Sequence, residues 1–207
     1  MSIEVRTARV HDAPSMAALH ISRIDEGFLS SLGVPFLRRL YRRVVVSDDA
    51  FAAVAVDEHG DVVGFVATAL SVGALYRRFI VRDGVIAGAA AAPRILRSWR
   101  RVLETLRYPA HATGLPSAEV LSVAVAASVA GRGVGRALLV SAQRELDYRG
   151  IDAVKVVAGS HNEAALALYR AAKFEEVETI EVHAGVSSSV LVWRAPHLHA
   201  VHEDARR

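Results

Sequence analysis

Cysteine is absent from the chain. With it go disulfides, a cysteine nucleophile, thiolate zinc sites and iron–sulfur clusters. Lysine is almost absent too: of 25 basic residues only Lys155 and Lys173 are lysines. Aromatic residues make up 6%, too few for the stacking platforms that bind single-stranded nucleic acid. No apolar run reaches the roughly 18 residues that span a bilayer. The longest, Val85 to Ala92, is short and mostly alanine. The opening stretch MSIEVRTARVHDA lacks the apolar core of a secretion signal. The expectation is a soluble, cytoplasmic protein that uses neither nucleic acid nor a membrane as partner.

A chain of 207 residues, 52% hydrophobic and 23% charged, easily builds a packed core and suits one domain. The net charge of +3 is small, but residues 72–117 hold eight arginines against Asp83 and Glu104. Such a surplus is ordinarily a solvated helix face; an acidic partner surface or an anionic ligand are the alternatives.

Periodicity orders the elements. Ile3 to Thr7 alternates as a strand, and Asp12 stands where it can cap a helix reaching about Ile24. From Pro35 a second helix puts Phe36, Leu37, Leu40, Tyr41, Val44 and Val45 on one face and Arg38, Arg39, Arg42 and Arg43 on the other. Two apolar strands, 51–56 and 62–70, flank the turn Asp57-Glu58-His59-Gly60-Asp61. Residues 72–117 then read as an amphipathic helical insertion. Ile95, Leu96, Trp99, Val102, Leu103 and Leu106 form its apolar stripe, expected in the core, with a homodimer contact or a lid over a substrate as alternatives. A strand at 119–125, a helix at 135–148 stopped by Gly150, a strand at 152–158, a helix at 163–173 capped by Ser160 or Asn162, and strands at 177–182 and 188–193 complete the domain. The predicted class is α/β: a mixed, mostly antiparallel sheet with helices on both faces, in one domain over 1–195 with a tail over 196–207. The tail histidines His197, His199 and His202 lack an acidic partner at ligand spacing, so no metal is expected.

The stretch SVAGRGVGRALL, residues 128–139, joins strand to helix through three alternating glycines. A helix N-terminus offers unpaired N–H groups and a positive dipole end, so such a junction suits an anion. Arg132 and Arg136 add charge. The triphosphate loop G-x-x-x-x-G-K-[ST] is excluded for want of its Lys and Ser/Thr. The dinucleotide loop G-x-G-x-x-G is excluded because Arg136 or Leu138 stands at its third glycine.

At this point the chain resembles the GNAT superfamily of acyl-CoA-dependent N-acyltransferases, whose loop is Q/R-x-x-G-x-G/A. Here it reads Ala130-Gly131-Arg132-Gly133-Val134-Gly135, with Ala130 departing from the pattern. HNEAALALYRAAKF, residues 161–174, is similar to the family's N-x-x-A-x-x-x-Y-x-x-x-G-F helix; Asn162 and Tyr169 match and Lys173 replaces Gly. VRTARVHDAPSMAALH and GDVVGFVAT also resemble family segments, so the likeness spans about three quarters of the chain, outside 72–117.

The resemblance implies acetyl-CoA as co-substrate. Its pyrophosphate would lie on the N–H groups of Gly131, Arg132, Gly133, Val134, Gly135 and Arg136, near Asn162. Its pantetheine would run along Val123, Ala124 and Val125. It implies direct attack of an amine on the thioester, with Glu119 or a water chain as base, a backbone N–H near Val125 for the oxyanion, and Tyr169 donating to the leaving thiolate. Asp25, Glu26, Phe28 and Tyr76 fall where the family places its acceptor. The expected function is a bacterial N-acetyltransferase acting on a primary amine of a small molecule, such as an amino sugar or amino-acid derivative. Protein or peptide N-acetylation and a non-catalytic acyl-CoA sensor are the alternatives.

Overall fold

The computed structural model describes residues 2–24, 28–82, 114–183 and 186–196. Its strands are β1 (Ile3–Thr7), β2 (Ala50–Asp57), β3 (Val62–Ala69), β4 (Glu119–Val125), β5 (Ala153–Gly159), β6 (Glu175–His183) and β7 (Val186–Arg194). Its helices are α1 (Ala13–Arg23), α2 (Phe28–Ser31), α3 (Val34–Val46), α4 (72–82), α5 (Val134–Tyr148) and α6 (Glu163–Ala171). The strands form one sheet in the order β1-β2-β3-β4-β5-β7-β6. Neighbours are antiparallel except β4 and β5, which run parallel through the glycine loop and α5. The α/β class and the mixed sheet are as the sequence indicates.

Two apolar layers sandwich the sheet. On one face α1, α3 and α4 bury Met16, Leu37, Leu40, Tyr41 and Leu75 against Val54 and Phe65. On the other, α5 and α6 bury Leu138, Leu139, Leu146 and Leu166 against Val66, Val154 and Leu191. Covered on both sides, β2 is buried at seven of its eight residues, which explains its unbroken apolar reading. In α4, Val72, Leu75 and Phe79 share one helical face and are all buried, Phe79 edge-on to Phe36 with centroids 5.3 Å apart. This part of the insertion is core; its stripe at 95–106, the tail histidines, Asp25 and Glu26 lie outside the described residues.

Asp12 does not cap α1. A 3₁₀ turn over Val10–Asp12 precedes the helix, so Asp12 already has helical dihedrals and its side chain makes no cap bond. Its carboxylate instead accepts from Arg6 Nη1 and Nη2 (2.8 and 2.9 Å) and from the Arg9 N–H (2.6 Å). The expectation for α6 divides: Asn162 caps it, accepting from the Ala165 N–H at 3.1 Å, whereas Ser160 Oγ lies 3.2 Å from Ser189 Oγ.

Candidate active site

The sheet is closed at one end of the β4–β5 pair and open at the other. Among the described residues these two seven-residue strands register only at Glu119↔Lys155, joined by the Lys155 N–H to the Ala118 carbonyl at 3.0 Å. Beyond that point β4 keeps its partners on β3 alone. The backbone of Val123, Ala124 and Val125 therefore borders a cleft rather than a neighbouring strand. A bulge shapes that edge. Ala67 pairs with Ser122 but Thr68 pairs with Val120, leaving Leu121 as an extra residue. The bulge turns Leu121 and Ser122 both toward the α1/α3 layer, while Val123 and Val125 pack with the α5/α6 layer.

The glycine loop follows β4 through a 3₁₀ turn over Ala127–Val129. Gly131 and Gly133 have φ of 74° and 79°, and a Cβ at either would meet nothing within 4 Å. Both thus serve conformation, in a loop open to solvent. The first intrahelical bond of α5 runs from Ala137 N to Gly133 O. The N–H groups of Val134, Gly135 and Arg136 precede it and have no helical acceptor, the arrangement that binds anions. Gly135 serves packing instead. A Cβ there would stand 3.2 Å from Leu168, so this glycine lets α6 lie close on α5. The Val134 side chain is buried in the core. The Arg136 Nε donates to the Ala171 carbonyl at 3.2 Å, and Gln143 Nε2 to the Ala172 carbonyl at 2.7 Å, so α5 side chains tie down the end of α6. The Asn162 side chain is engaged in the α6 cap.

Tyr169 is 7% exposed, and burial pushes its hydroxyl up to about 12. It sits in the same core cluster as Val134 and Leu166, against which Val123 and Val125 pack. Its ring is held by the turn that ends α6. Phe174 N bonds Tyr169 O and Lys173 N bonds Arg170 O, both at 3.0 Å, with the Phe174 and Tyr169 rings 5.7 Å apart. That is a Schellman turn with its apolar contact. Its left-handed residue is Lys173, at φ 67°. Lysine thus adopts the conformation that glycine takes without strain.

Glu119 lies across the sheet from Tyr169, since its neighbour Val120 is in the α5/α6 layer. Its side chain is 21% exposed and 3.3 Å from Lys155 Nζ. Burial raises its proton affinity, and the Lys155 ammonium opposes that rise without cancelling it. Tyr76 on α4 packs on the same layer. Burial, then the Glu119 charge, lifts its hydroxyl to about 12. Sequence reasoning missed a buried polar group beside these residues. His20 Nδ1 and Tyr41 Oη are 2.5 Å apart, and Ser122 Oγ is 3.5 Å from the same nitrogen. Burial lowers the His20 pKa to about 4, so its ring is neutral near pH 7. Nothing local marks this group, which joins residues about 100 positions apart in the chain. Lys155 did leave a signal, as the one charge inside the apolar run of β5.

A model of the family described as acetyltransferase (GNAT) matches residues 21–174, well over half the chain. The chain belongs to the GNAT acetyltransferase family. It is accordingly an acyl-CoA-dependent acetyltransferase. No curated protein matches it. Solved structures share its fold at low identity. One, proposed to be a phosphinothricin N-acetyltransferase, is 19% identical with a TM-score of 0.59, over 95% of this chain and 100% of that one. The ribosomal-protein-S18-alanine N-acetyltransferase of Escherichia coli is 16% identical with a TM-score of 0.56, over 93% and 94%. NAA60 of Arabidopsis thaliana, in complex with acetyl-CoA, is 17% identical with a TM-score of 0.59, over 93% and 98%. The sheet, the helices on both faces and the family are those the sequence pointed to. The neighbours' names span a small-molecule and a protein substrate.

Proposed function

We propose that this GNAT protein transfers an acetyl group from acetyl-CoA to a primary amine of a small molecule. The observation that carries the reading is the opening of the sheet between β4 and β5 just ahead of the glycine loop, with Glu119 on one face and Tyr169 on the other. The pyrophosphate binds the N–H groups from Gly131 to Arg136, and the pantetheine pairs with the backbone of Val123 to Val125. The acceptor approaches from the face of Glu119 and Tyr76, with Asp25, Glu26 and Phe28 as further acceptor contacts. The amine nitrogen attacks the thioester carbon, its proton passes to Glu119, and the C–S bond breaks with loss of the CoA thiolate. A backbone N–H near Val125 donates to the carbonyl oxygen as charge develops.

The raised hydroxyl of Tyr169 refines its role. A thiolate whose thiol has a pKa of roughly 8.5 is a weak base toward a phenol near 12, and full transfer would cost about 5 kcal/mol. Tyr169 therefore holds the departing sulfur by a hydrogen bond, and water supplies the proton. A neighbour named for phosphinothricin and one named for a ribosomal protein share the fold alike, so the amine panel decides the acceptor class.

Thiol release from acetyl-CoA with spermidine, tyramine, glucosamine, phosphinothricin and an alanine-terminated peptide tests the reading. Turnover with a small amine supports it; turnover with the peptide alone overturns the acceptor class. Acetyl-CoA should also raise the melting temperature, because it binds only the native state. Gly133→Glu should abolish that rise, and no rise at millimolar acetyl-CoA would sink the CoA assignment.

A further inference from the structure

We propose that Lys155 is a positioning residue of the transfer reaction, its ammonium holding the Glu119 carboxylate charged and in place at the closed end of the β4–β5 cleft. The inference rests on the reading of Glu119 as the base. Val154 and Val156 on either side of Lys155 are buried in the α5/α6 layer, so Lys155 turns to the opposite face, where it is only 8% exposed. A lysine there is costly to desolvate, and methionine or leucine would fill similar room.

What the lysine does have is three bonds to the segment entering β4. Its Nζ donates to the Pro116 carbonyl at 2.7 Å and meets Glu119 Oε2 at 3.3 Å, and its N–H donates to Ala118. The ion pair coincides with the one registered pair of the two strands. Among the described residues, other elements offer Glu119 no second cation. Tyr76 faces it from α4 and is a neutral phenol, and Ala69 stands opposite on β3. Arg78, also on α4, is engaged by Asp49 at 2.9 Å. Below its raised midpoint, a partly buried carboxylate stripped of this counter-charge would hold its own proton and could not take one from the acceptor.

The experiment follows the Glu119 carboxyl by ¹³C NMR in full-length protein labelled at glutamate, with Glu119→Gln giving the assignment. Wild type, Lys155→Met and Lys155→Arg are titrated, and kcat/KM is measured across pH with the fastest amine of the panel above. In Lys155→Met the Glu119 midpoint should rise by about 1–3 pH units. Between the wild-type and the raised midpoint its rate relative to wild type should climb with pH, by up to about tenfold per unit, and reach the wild-type rate above both, a ratio in which the amine's own titration cancels. Lys155→Arg should restore both. If Lys155→Met does not fold, Lys155→Gln carries the same outcomes. An unmoved midpoint, or a rate lowered equally at every pH, overturns the proposal. A fully active Glu119→Gln instead overturns the base reading, a result distinct from an inactive Glu119→Gln with a pH-independent Lys155→Met.

Discussion

Replacing Lys173 by glycine should stabilise the protein. Lys173 is the only non-glycine residue at positive φ among the described residues, and it is exposed. Its N–H closes the turn on Arg170, and the next N–H closes it on Tyr169. An L-residue in the left-handed region costs about 1–2 kcal/mol. Glycine removes that cost but loses about 0.5–1 kcal/mol through the greater freedom of its unfolded chain. The net gain is about 0.5–1 kcal/mol, or a Tm rise of about 1–4 °C for a domain of this size. Scanning calorimetry of Lys173→Gly, Lys173→Ala and wild type measures it. Alanine keeps the strained φ and should leave Tm near wild type. A Lys173→Gly protein that melts with or below Lys173→Ala would refute the strain argument. The substitution should also leave acetyl-CoA affinity unchanged, since Tyr169 stays anchored through its own carbonyl.

Three further outcomes follow from other sites. Tyr169→Phe should lower kcat by about 10- to 100-fold, the worth of one hydrogen bond to a charged group; steady-state kinetics decide, and an unchanged kcat removes the sulfur contact. Asp12→Ala should cost about 1–3 kcal/mol in urea unfolding, because it leaves the Arg9 N–H unpaired and takes the carboxylate from the part-buried Arg6 guanidinium. Burial pushes the Asp12 carboxyl up, but Arg6 and the Arg9 N–H outweigh it and hold the pKa below the usual range. That stability is therefore present above about pH 4 and is lost in acid. His20 works over a higher window. Its folded pKa of about 4 lies below the unfolded value of 6.5. The unfolded chain binds the proton first, so stability falls between pH 6.5 and 4, by about 3 kcal/mol in all. His20→Gln should flatten that part of the profile; an unaltered slope would assign it to other groups.

How much was legible beforehand depends on how local each feature is. The glycines of the loop, the Asn162 cap and the end of the 134–148 helix at Gly150 answer to dihedral and hydrogen-bond needs within a few residues, and pattern alone located them. Asp12 was misread because one 3₁₀ turn shifted the start of the helix past it. The β6–β7 pair is longer than predicted, by up to two residues at each end. The added residues Glu175, Glu176 and Ser187 are exposed and carry no apolar alternation.

The sequence by itself determined the order of strands and helices, the glycine-rich strand–helix junction and the family, since each rests on short spacings that chemistry constrains. Only the tertiary structure decided that β4 bulges at Leu121, that β4 and β5 part beyond Glu119 and Lys155, and that His20, Tyr41 and Ser122 share one buried site. Those facts depend on which distant strand or helix covers each face. That is set by packing the whole sheet between its two helical layers, and no window of the chain contains it.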